Sequence, residues 1–130
     1  MLEPLFEELI ISIHKFLYLA NLAPSHLSSY GIEDKQQGRL AGYQDFWQKV
    51  ITSTEKDLER LQRALEIGLE KNKQEIDWSL SGFRQLPRFV SECSPTWSGY
   101  YEDIDKALDS IYVALVKIDR KYCLGQHSDN

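Results

Sequence analysis

Hydrophobic residues along this chain recur at steps of three and four, the spacing that gathers side chains on one stripe of an α-helix. The first run, Leu2, Leu5, Phe6, Leu9, Ile10, Ile13, Phe16, Leu17 and Ala20, predicts an amphipathic helix with Pro4 in its opening turn. Turn-forming residues from Ala23 to Gly31, Pro24 among them, predict that the chain leaves that helix there. A second run holds one helical phase from Leu40 through Trp47, Val50, Leu58, Leu61 and Leu65 to Ile76. Its opposite face is charged, with Asp45, Lys49, Lys56, Glu59, Arg63, Glu66 and Glu70. As a single rod it would span about 55 Å, against about 30 Å for the first helix. A kink or break near Thr52-Ser53-Thr54-Glu55, where Thr52 and Glu55 have capping-box spacing, would reconcile the two lengths.

A short element is expected near Pro87, with Phe89 and Val90 facing inward, and a loop at Ser94–Gly99. The last helix is marked by Ile104, Ala107, Leu108, Ile111, Leu115, Ile118 and Tyr122. Acids open it and Lys117, Arg120 and Lys121 close it, which suits the helix dipole. Alternating β-branched runs are absent. The expected fold is therefore all-α: an antiparallel bundle of three to five helices, with one long central helix as the alternative to a break. It forms a single domain over residues 1–125, followed by a tail at 126–130.

The chain has 130 residues, 42% hydrophobic and 27% charged, enough for one core without staples. A formal charge of −5 disfavours DNA and general nucleic-acid binding. Cys93 and Cys123 make neither a disulfide framework nor a paired zinc motif. The acidic Met1–Glu8 stretch is unlike a secretory signal, so the expectation is a cytoplasmic protein that does not engage membranes.

Chemistry-bearing patterns are sparse. No Glu-x-x-His repeats for a diiron bundle, no Gly-x-Ser-x-Gly elbow occurs, and Gly38-Arg39-Leu40-Ala41-Gly42 lacks the ending of a phosphate loop. Glu3, Glu7 and His14 share one side of the first helix and are expected to be a solvated edge. No cofactor or metal is implied.

Surfaces are more informative. Ile11 and Tyr18, seven residues apart, project away from the apolar stripe of the first helix, as does Val113 on the last, so such a helix is either central in its own fold or also faces a partner chain. Six of the fifteen aromatic residues lie between Trp78 and Tyr101, with Arg84 and Arg88 among them. The aromatics of this segment are expected to close one end of the bundle; alternatively, a helical turn there would place both guanidinium groups on one side, and Arg84, Arg88, Trp97, Tyr100 and Tyr101 join Ile11 and Tyr18 as candidate partner-binding residues. Arg120 and His127 enclose six residues, which is similar to the Arg-x(4–6)-His pattern of HEPN domains, small helical proteins that include metal-independent ribonucleases. That resemblance implies phosphate stabilisation by Arg120 and proton transfer or orientation by His127, with RNA as substrate. The leading expectation is a non-enzymatic interaction module, an adaptor, assembly factor or regulatory subunit with a protein partner and self-association. The alternatives are the ribonuclease and a small-ligand pocket lined by Trp47, Trp78 and Trp97.

Overall fold

The computed structural model describes residues 3–28, 34–93 and 101–122, with side chains described for 3–22, 45–91 and 102–122. Among them are five helical segments: α1 (Pro4–Ser28), α2 (Asp34–Ile67), α3 (Lys73–Arg84), α4 (Leu86–Cys93) and α5 (Tyr101–Tyr122). No strand occurs among the described residues, and none of their helices is long and apolar enough to cross a membrane. The fold is an all-α bundle.

The periodic residues of each helix meet in one core. Phe6, Leu9, Ile13 and Phe16 of α1, Trp47, Ile51 and Leu61 of α2, Ile76, Leu80 and Phe83 of α3, and Ile104, Ile111 and Ile118 of α5 are all essentially removed from solvent. Helix α5 lies antiparallel along α1, so that the end of one meets the start of the other. Lys121 Nζ reaches Glu3 at 2.7 Å, Lys117 reaches Glu8 at 3.2 Å, and the Phe6 and Tyr122 rings sit 5.7 Å apart. Helices α2 and α3 form an antiparallel hairpin tied by Arg60 and Glu75 at 3.6 Å. Helix α4 carries on along α2, with Phe89 edge-on to Phe46.

Two sequence expectations are corrected. Helix α2 runs unbroken through Thr52–Glu55, and the Thr54 hydroxyl donates back to the Val50 carbonyl at 2.8 Å, so it is buried with its hydrogen bond made inside the helix. The chain turns instead at Gly68, whose φ of +133° lies where side-chain-bearing residues are strained. The apolar phase crossed this point unchanged because Leu65 and Leu69, on either side of it, both pack against the core. Secondly, α1 does not end at Ala23 but continues through Pro24 to Ser28. Proline has no N–H to offer the carbonyl of Ala20 four residues back. The Trp47 indole N–H supplies the donor, at 2.9 Å and fully buried. The Phe16 ring meets the same indole edge-to-face at 6.0 Å.

Close approach of α2 and α3 depends on a missing side chain. A Cβ at Gly82 would lie 2.9 Å from Asp57 Cγ, so the Asp57 carboxyl rests against the bare backbone of α3. Burial pushes the Asp57 carboxyl above its usual range, with Arg60 opposing the shift.

Candidate functional site

The first candidate surface is the outer face of α1. Its inner stripe is consumed by the core, and Ile11 and Tyr18 remain 63% and 67% exposed, as sequence periodicity anticipated. Leu22, 39% exposed, extends the line by one more turn. Pro4, Glu7, His14 and Lys15 share this exposed side. Glu3 departs from the expectation of a solvated edge. Its carboxylate accepts from Lys121 Nζ, the Tyr122 hydroxyl and, at 3.2 Å, the Leu5 backbone N–H. These bonds, the lysine's first, draw it down to about 2.

A second feature had no counterpart in the sequence reading. Between the end of α3, the start of α4 and the middle of α5 lies a cleft of about 310 Å³, at the small end of ligand-pocket sizes. Phe83, Pro87, Leu108, Ile111, Leu115 and Val116 make it apolar, and Tyr112 stands at its rim, 64% exposed. The Arg84–Asp119 ion pair, both side chains largely buried, makes its polar contribution. The off-stripe position of Val116 was the sequence signal available. That signal could not reveal the opposing wall, which comes from residues more than twenty positions away.

Several candidate residues are separated by the fold. Arg84 is the last residue of α3 and Arg88 belongs to α4, so they do not share a helical turn. Arg84 is committed to Asp119, while Arg88 is exposed. The described aromatic residues of the 78–101 segment are placed differently from one another: Phe83 is buried, Phe89 half-buried and Trp78 54% exposed. Trp97 and Tyr100 lie outside the described residues, as does the side chain of Tyr101, which opens α5. The tryptophan-lined pocket is not formed by Trp47 and Trp78, since the first is sealed in the core and the second faces solvent. Arg120 is exposed on the last turn of α5, and His127 lies outside the described residues. Among the described residues, no group of three or more His, Cys, Asp or Glu is placed to hold a metal ion.

No family model, no curated protein and no solved structure matches this chain.

Proposed function

We propose that the protein is a non-enzymatic interaction module that associates with a second copy of itself through the outer face of α1. The observation that carries this reading is the line Ile11, Tyr18 and Leu22, left in solvent on a helix whose other flank is already fully packed. Exposed apolar side chains aligned along one rod gain more from a shared cover than scattered ones do. The line is short, so the association is of the weak, concentration-dependent kind rather than an obligate dimer. Sedimentation equilibrium across a wide concentration range tests it: the intact chain moves towards twice its monomer mass, and Ile11→Asp stays monomeric with an unchanged helical spectrum. A monomer at every concentration refutes the proposal.

A second reading is favoured by the α3–α5 cleft, which has the shape for a small, mainly apolar molecule with one polar group directed at Arg84 and Asp119. Ligand-observed NMR with aryl and aliphatic fragments tests it, with Val116→Trp as the filled-cleft control. Fragments that bind both forms equally refute it.

A further inference from the structure

The pattern of charges beside the exposed line of α1 selects one register for its pairing. At 100° per residue, Pro4, Ile11, Tyr18 and Leu22 lie within about 40° of one another around the helix. Glu7 and His14 fall on one flank of that line, and Glu8 and Lys15 on the other. All of these side chains reach solvent, Glu8 only in part because it also holds Lys117.

A two-fold axis along the helices would make the pair parallel and set Glu7 against the second copy's Glu8 and His14 against its Lys15, whereas an axis perpendicular to them makes the pair antiparallel and brings each flank against the same flank of its mate. Few registers are open to so short a line. Setting Ile11 against the second copy's Tyr18 would match the two largest apolar groups. It would also bring the two copies of Lys15 together on one flank and the two of His14 together on the other. The two opposed Lys15 ammonium groups disfavour that arrangement. Sliding the copies until Ile11 meets Ile11 on the axis removes the conflict. Glu7 then stands level with the second copy's His14, Lys15 with the second copy's Glu8, and the Tyr18 ring covers Pro4. Symmetry makes each of these contacts twice.

We infer that two copies of this chain pair through antiparallel α1 helices with Ile11 on the two-fold axis, Tyr18 packed on Pro4 of the other copy, and Glu7–His14 and Lys15–Glu8 pairs along the flanks. This register rests on the reading of α1 as a self-association surface, and it can fail while that reading stands. Helices packed in this way have axes about 8–10 Å apart. The Cα atoms of the two Ile11 residues, facing each other across the two-fold axis, then come within disulfide reach, whereas the two Lys15 positions are offset by eight residues of rise, about 12 Å.

Cysteine cross-linking in the full chain with Cys93→Ser and Cys123→Ser tests the register. Ile11→Cys, oxidised with copper phenanthroline at a concentration where sedimentation shows dimer, yields a covalent dimer, and Lys15→Cys does not. Glu7→Lys weakens dimerisation roughly five-fold, and adding His14→Glu restores it. A dimer that cross-links at Lys15→Cys, or not at Ile11→Cys, overturns the register and leaves self-association standing. Failure of His14→Glu to rescue Glu7→Lys overturns the register in the same way. A protein that is monomeric at every concentration overturns both. Because Ile11, Glu7, His14 and Lys15 are all exposed, none of these variants disturbs the core, and circular dichroism checks that each is folded.

Discussion

Replacing Trp47 with Phe leaves an aromatic ring in the core but removes the only part of the side chain that donates a hydrogen bond. Trp47 exposes none of its surface, and its N–H satisfies the Ala20 carbonyl, whose ordinary helical donor is missing because residue 24 is proline. Two costs add. Loss of part of a fully packed indole costs about 1–2 kcal/mol, a fraction of the 3–5 typical of truncating such a residue to Ala. A buried carbonyl stripped of its donor costs about 1–3 kcal/mol more. The second cost alone depends on Pro24. In a Pro24→Ala background the backbone N–H of residue 24 is available to Ala20, so Trp47→Phe should cost about 1 kcal/mol less there. Urea unfolding followed by far-ultraviolet circular dichroism of the four proteins in this cycle measures the difference directly. Equal costs of Trp47→Phe in both backgrounds, within about 0.3 kcal/mol, would refute the claim that the indole replaces the proline's missing donor.

Gly82→Ala forces the Asp57 carboxyl away and destabilises the hairpin by about 1–3 kcal/mol despite alanine's better helix propensity, and Asp57→Ala in the same chain recovers most of the loss in thermal melts. The raised Asp57 carboxyl means that the folded state binds its proton more tightly than the unfolded chain does. Stability from this group therefore falls as pH rises through the acid range, and Asp57→Asn flattens that limb of the stability–pH curve. Glu3 acts in the opposite sense. Its folded value of about 2 against an ordinary 4.5 gives stability that is present above pH 4.5 and lost as pH falls towards 2, so Glu3→Gln lacks this acid-dependent loss. Asp119→Ala leaves the largely buried Arg84 with one charged partner fewer and costs about 1–3 kcal/mol by chemical denaturation. Unchanged stability in that variant would mean that the ion pair contributes nothing to closing α3 on α5.

The helices and their inward faces were legible because burial along a rod leaves a repeat of 3.6 residues in the sequence. Ile11, Tyr18 and Val113 were correctly placed outside on the same ground. Punctuation was harder. Pro24 signalled an end to α1 because proline's usual effect on a helix is a local rule, and the donor that offsets it sits on another helix. Thr52 looked like a cap because its spacing to Glu55 fits a capping box, yet it lies inside an unbroken α2, where its hydroxyl accepts from the Gln48 side chain at 3.5 Å. Gly68 passed unnoticed for the opposite reason: the residues around it keep the helical phase even though the chain turns there.

By itself, then, the amino-acid order determined that this protein is helical, which side of each helix is buried, and that α1 carries more apolar surface than its own core uses. Those properties depend on neighbours three and four positions away. Only the tertiary structure decided that Trp47 serves Ala20, that Glu3 joins Lys121 and Tyr122, that Asp57 rests on Gly82, and that Arg84 and Asp119 meet beside an apolar cleft. Each of these contacts joins residues distant in sequence. Their spacing carries no periodic signal, and they come together only when whole helices pack and exclude water between them.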